Sequence, residues 1–172
     1  FEKLGFLKKF TTLQQVKAYL QRDPVLSKFG CLLKKNGNKR IILDLKQSRV
    51  TRCTKKQWRV CLPRMMDLIA DALDLSCDLL EDEEIEFLVL DFVNAFWNVP
   101  LAFQERAFFV GMVRGEYFVY LRSAQGSRNA PLSWAGLISL VTRCTQSLFW
   151  KPASGKRSPE NARLEVYVDD PA

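Results

Sequence analysis

The sequence predicts an α+β domain with a largely antiparallel sheet and packed helices, and three observations predict it. Segments of strand period and helix period mix along the chain without regular β-α alternation. Two pairs of candidate strands are joined tightly, at Asn36-Gly37 and around Gly115, as antiparallel hairpins are. The chain has 172 residues, 48% of them hydrophobic and 26% charged, which is enough for one domain with a real core and at most two small ones.

The elements follow in order. Thr11 or Thr12 can cap a helix that carries Leu13, Val16 and Leu20 on one face and ends at Asp23-Pro24. Residues 30–35 and 40–45 read as the two strands of the Asn36-Gly37 hairpin. Pro63 is expected to open the next helix, at a position where its missing N–H costs nothing. Met65, Met66, Leu68, Ile69, Ala72, Leu73 and Leu75 then recur at helical spacing, with Asp67, Asp71, Asp74 and Asp78 along the other side. Residues 85–90 form an apolar run with acidic flanks, which predicts a buried strand. Residues 107–113 and 116–122 read as two further strands. Residues 131–150 read as a long helix with Trp134, Leu137, Ile138, Val141, Cys144 and Leu148 on its inner side. Residues 152–161 are a Ser/Pro/Gly/basic loop, and 164–168 a final strand. No internal repeat and no domain linker stands out.

Several functions are excluded at once. The chain contains no histidine, so Ser-His-Asp and Cys-His catalysis, histidine zinc ligands and histidine pH switches are all removed. The five cysteines (Cys31, Cys53, Cys61, Cys77, Cys144) are odd in number and none has C-x-x-C spacing, which argues against zinc and a disulfide framework. Reduced thiols fit an intracellular protein, cytoplasmic or nuclear, that is not secreted. No run approaches a membrane span, so no membrane partner is expected. The chain opens on Phe1 and closes on Val168-Asp169-Asp170-Pro171-Ala172, and reads as an excised piece.

The net charge of +7 is unevenly spread. Residues 1–64 hold 17 Lys/Arg against 3 Asp/Glu, whereas residues 65–98 hold 10 Asp/Glu and no Lys/Arg. The basic block is a plausible footprint for a polyanion, with an unpartnered solvated surface as the alternative. The acidic block reads as plain solvation apart from Asp91.

Two of the expected strands run straight into aspartate: 85–90 into Asp91, and 164–168 into Asp169 and Asp170. A strand end is a rigid place to hold a carboxylate. If the strands are neighbours, their carboxylates meet, repel, and call for a hard divalent cation such as Mg²⁺. Alternation puts Tyr167 and Asp169 on one face, Val168 and Asp170 on the other.

Tyr167-Val168-Asp169-Asp170 resembles the Tyr-x-Asp-Asp signature of reverse transcriptases. Four other segments resemble that family's motifs in the right order. They are the basic hairpin Lys34 to Asp44, Leu62-Pro63-Arg64 before a helix, Asp91-Phe92-Val93-Asn94-Ala95-Phe96, and Gln125-Gly126-Ser127-Arg128-Asn129-Ala130-Pro131 before a long helix. The resemblance covers about residues 28–170. Val168 and the Val99-Pro100-Leu101 stretch look most like long-terminal-repeat retrotransposons and retroviruses.

The resemblance implies a right-hand polymerase fold, truncated before the thumb, with about 1–84 mainly fingers, 85–172 mainly palm with interleaved fingers elements, and no second domain. It implies an RNA-directed DNA polymerase that adds deoxynucleotides to a primer on an RNA or DNA template by two-metal phosphoryl transfer. Asp91, Asp169 and Asp170 would hold two Mg²⁺ ions, or Mn²⁺ in their place. Lys35 and Arg40 would bind the triphosphate, with Phe92, Phe96, Gln125 and Gly126 around the nucleotide and Phe96 as the sugar gate. Lys34, Lys39, Arg128 and Tyr167 would touch nucleic acid. Asn94, Ser48-Arg49 and Pro171 depart from the family pattern. Two other readings stay open: a catalytically inactive polymerase-like relic or nucleic-acid-binding module, and an RNA-directed RNA polymerase, which Phe96 argues against.

Overall fold

Strand period and ladder hydrogen bonds settle the first half of the chain. In the computed structural model, residues 1–33, 35, 37, 39–55, 59–77, 79–149, 152–153, 156–157 and 162–166 are described. They fall into two compact units, one of residues 1–58 and 94–133, the other of 59–93 and 134–172.

The first unit is built on a mixed five-stranded sheet of order β1-β5-β4-β2-β3. Its strands are β1 (Leu7–Phe10), β2 (Leu26–Leu33), β3 (Lys39–Leu43), β4 (Val110–Val113) and β5 (Glu116–Tyr120). Three pairings are antiparallel and one, β2 with β4, is parallel. The β4–β5 link is a two-residue turn with Arg114 at φ 51° and Gly115 at φ 78°. Two positive φ values in succession match the twist of a hairpin.

Helix α1 (Leu13–Leu20) forms where the sequence predicts it, and Thr12 is its cap. The Gln15 N–H donates to Thr12 Oγ1 at 3.3 Å, and Gln15 Oε1 accepts from the Thr12 N–H at 3.4 Å. Two otherwise orphaned donors are thereby satisfied. Val16 and Leu20 pack on Ala107, Val110 and Val119 on one face of the sheet. The opposite face carries Leu7, Leu43, Leu45, Val50, Trp97, Tyr120 and Ala124. Val119 and its neighbour Tyr120 belong to different faces, as strand alternation requires. Trp97 stacks on Phe1, Phe6 and Tyr120 at centroid distances of 4.9, 5.1 and 5.4 Å. Gly111 is buried because the Phe29 ring fills the space where a Cβ would stand.

Three features of this unit differ from expectation. β1 is an unforeseen strand, and a short helix α2 (Val50–Cys53) follows the hairpin. The strand expected from residue 107 begins at Val110, because Phe103–Phe108 form a 3-10 helix. Arg106 explains that helix's position: it donates to the Tyr19 hydroxyl at 3.1 Å and covers the Phe103 ring.

In the second unit, α3 (Met65–Ser76) forms as predicted. Pro63 stands one residue before the cap rather than inside the helix, and the Arg64 N–H donates to the Asp67 carboxylate at 2.6 Å. No α3 residue is buried, and Met65, Met66 and Leu73 are exposed. Helix α4 spans Ala130–Leu148. Trp134 and Ile138 are buried as expected, but Leu137, Val141, Cys144 and Leu148 are exposed.

The buried strand predicted at 85–90 does not form. Residues 83–92 belong to no strand, and Phe87, Leu88, Val89 and Leu90 are 67–89% exposed. Apolar content alone does not make a strand, which needs a paired neighbour, and none of the described strands pairs with this run. For the same reason Leu164 to Val166 are outside any strand. The loop expected at 152–161 contains a two-residue ladder, β6 (Pro152–Ala153) with β7 (Lys156–Arg157).

The Trp97 stack generates a prediction. Trp97→Ala should cost about 3–5 kcal/mol in urea unfolding, whereas Met65→Ala, at a residue 68% exposed, should stay within about 0.5 kcal/mol. Equal losses would show that the ring stack does not organise the core.

Candidate functional site

The β2–β3 hairpin stands partly free of the sheet. Leu26, Ser27 and Lys28 pair with β4, while Phe29 to Leu33 pair with β3. Lys35 and Lys39 are exposed at its tip, and Arg40 is half-buried opposite Leu32. Alternation places Arg40 and Ile42 on one face of β3, Lys39 and Ile41 on the other.

The loop after β5 packs on the Arg40 face. Gly126 has φ +92°, and a Cβ there would lie 3.0 Å from Ile42 Cγ2 and 3.4 Å from the Leu43 carbonyl oxygen. The backbone conformation and the close approach both call for glycine. Gln125, half-buried, and Gly126 are thereby brought against the strand that bears Arg40. Two further side chains fasten the loop: Arg128 Nη1 donates to the Thr54 carbonyl at 3.2 Å, and Asn129 Nδ2 to the Lys55 carbonyl at 3.3 Å. Arg128, expected on nucleic acid, is exposed but uses one N–H to hold the end of α2.

Phe96 lies in a 3-10 turn, Ala95–Asn98, entered through Asn94 in the left-handed region at φ 57°. Ala95 and Trp97 are buried and Phe96 is half-buried. The Ser123 N–H donates to the Val99 carbonyl at 2.8 Å, and the Leu101 N–H to the Leu121 carbonyl at 3.0 Å. These bonds tie the segment carrying Phe96 to the one that leads into Gln125. Ser48 has a structural partner: its hydroxyl pairs with that of buried Ser27 at 2.8 Å.

In the second unit Asp91 is exposed and irregular, not mounted on a strand end. Phe92, expected beside a nucleotide, is 44% exposed and meets the Trp134 ring edge-on at 5.2 Å. Lys34, Tyr167, Asp169 and Asp170 lie outside the described residues. Among the described residues no group of three or more His, Cys, Asp or Glu is placed to hold a metal ion. No described helix is long and apolar enough to cross a membrane, and all five cysteines are exposed and unbridged.

Sequence reasoning missed the contacts of residues 162–166. Gln146 Nε2 donates to the Ala162 carbonyl at 2.8 Å, and Gln146 Oε1 accepts from the Leu164 N–H at 2.9 Å. Arg163 Nε lies 3.8 Å from Asp71 Oδ1. Partial burial, a hydrogen bond with Asp71, and the charges of Asp71 and Asp67 push the Glu165 carboxyl above its ordinary pKa of 4.5. The acidic stripe of α3 reads in sequence as solvated; only the fold shows that it meets Arg163 and Glu165.

No protein-family model matches the chain, and no curated protein matches it significantly.

The Glu165 shift has a definite sign. The folded protein holds this proton more tightly than the unfolded chain. The group's stabilising effect is therefore complete below pH 4.5 and is lost as pH rises through the raised value. Glu165→Gln should raise stability at pH 7 slightly, by less than about 1 kcal/mol because solvent screens the carboxyl. Thermal melts at pH 7 and pH 4 should show a smaller gain on acidification in the variant; parallel gains would show that Glu165 is not shifted.

Proposed function

We propose that this chain is the fingers and much of the palm of a retroelement RNA-directed DNA polymerase, which extends a primer 3′ end with deoxynucleotides. One observation carries the reading. The Gln125-Gly126 loop packs on the face of β3 that bears Arg40, so two motifs far apart in sequence form one surface. Lys35 is exposed at the hairpin tip beyond it, and Lys39 is exposed on the other face of β3.

The chemistry of each group supports its role. Arg40 offers a planar fork and Lys35 a compact point charge, and together they suit the phosphates of a deoxynucleoside triphosphate. Lys34, Lys39 and the other basic residues of 1–64 would supply affinity for the RNA or DNA backbone of template and primer. Phe96 presents a ring that would reject a ribose 2′-hydroxyl. Asp91, Asp169 and Asp170 are the hard oxygen donors that Mg²⁺ takes. Two bound ions would activate the primer hydroxyl and stabilise the pyrophosphate that leaves. Phe92 and Tyr167 would flank this centre.

A second reading, a catalytically inactive polymerase-like module that binds nucleic acid, is favoured by the state of residues 86–90. They are exposed and in no strand, so Asp91 is not held on a sheet.

Primer extension on an RNA template with Mg²⁺ separates the two. Extension with deoxynucleotides by the chain continued through its own downstream reading frame, abolished by Asp169→Asn, is the expected outcome. A folded protein that binds template but never extends the primer would establish the second reading. Phe96→Val should additionally admit ribonucleotides; unchanged rejection would remove Phe96 as the sugar gate.

A further inference from the structure

We propose that Gln146 is a positioning residue, whose side-chain amide grips the main chain on both sides of Arg163 and sets the register of residues 162–166, the stretch preceding Asp169 and Asp170. The grip stands on its own geometry; its bearing on the aspartates rests on the polymerase reading.

The two bonds fix the amide's orientation. Nε2 faces the Ala162 carbonyl at 2.8 Å and Oε1 faces the Leu164 N–H at 2.9 Å. The flipped amide would set donor against donor and acceptor against acceptor. Main-chain groups that a strand would offer to a neighbouring strand bond instead to one side chain. Few residues can do this. The site needs one donor and one acceptor about 2 Å apart on a stem long enough to leave α4. Asparagine is one methylene shorter, and an ionised glutamate has no donor.

Two further side chains of the segment face α3. Arg163 Nε lies 3.8 Å from Asp71 Oδ1, and Glu165 is near enough to Asp71 and Asp67 for them to raise its carboxyl pKa. Long charged side chains leave slack along the chain. Gln146 instead holds the main chain itself, at Leu164, five residues before Asp169 in the sequence. In an extended chain a slip of one residue exchanges the faces of every later side chain. On the polymerase reading, a slip at Leu164 would be carried into the sequence that leads to Asp169 and Asp170.

Amide hydrogen exchange on the whole chain tests the grip without nucleotide or metal. Gln146→Ala should speed exchange at the Leu164 amide about tenfold or more, leaving the Val119 amide of β5 unchanged. Gln146→Leu, which keeps the length of the stem but offers neither donor nor acceptor, should match it. Unchanged Leu164 exchange in Gln146→Ala or in Gln146→Leu overturns the proposal. If the alanine variant does not fold, the leucine variant decides. In primer extension Gln146→Leu should lower kcat with the nucleotide KM unchanged. Wild-type inactivity with the exchange effects intact would refute the polymerase reading and leave the grip standing. Extension without them would refute the grip alone.

Discussion

Strand β2 divides its main-chain hydrogen bonds between two neighbours, and the architecture of the first unit follows from that division. Its first residues pair in parallel with β4 and its last five in antiparallel with β3. A strand that moves from one partner to another carries the second partner past the end of the first. The β2–β3 hairpin therefore stands beyond the four-stranded part of the sheet, with Lys35 and Lys39 exposed. A two-stranded ribbon alone is marginal in water. Support comes from Gly126 against Ile42 and Leu43, and from the Ser27–Ser48 hydroxyl pair at its base. The surface proposed to take a triphosphate is thus one the fold has to brace.

Local chemistry made much of this unit legible in the sequence. Thr12 with Gln15 is a capping pair that depends only on neighbours, and α1 starts there. The β4–β5 turn needed two left-handed residues, and Arg114-Gly115 supplied them. Illegible were the features that depend on a distant partner. β1 has four residues and is a strand only because Tyr117 to Tyr120 lie beside it. Residues 107 and 108 look like the start of a strand, but they close the 3-10 helix whose Arg106 donates to Tyr19. Gly126 was legible as a loop glycine, but its contact with Ile42 was not. Gln146 carried no motif at all, since its role is set by the carbonyl and N–H it meets.

Residues 85–93 show the limit of composition as a guide. A run such as Phe87-Leu88-Val89-Leu90 has the apolar content of a central strand, yet it is exposed. Burial is cooperative: an apolar segment gains free energy only when a complementary surface and a ladder partner are both in place. Helix α3 shows the same thing at helical period. Its amphipathic pattern specified the helix correctly, but none of its residues is buried. Pattern specifies the element, and a partner specifies its burial.

The two functional readings differ in what they demand of each unit. Holding a polyanion requires cations on an accessible surface, and the exposed hairpin lysines meet that demand whatever happens to the aspartates. Phosphoryl transfer demands more, because carboxylates that share metal ions must be fixed against their own repulsion. Asp91 is exposed and mounted on no strand. The fastening of residues 162–166 by Gln146 and Asp71 shows a different way of holding chain near a carboxylate pair, through side chains rather than a ladder. A main-chain ladder fixes position through many weak bonds in register, so losing one shifts little. A side-chain grip concentrates the same task in two bonds. On the polymerase reading, catalysis by the second unit would turn on a few side chains, while the binding reading of the first unit would not depend on them.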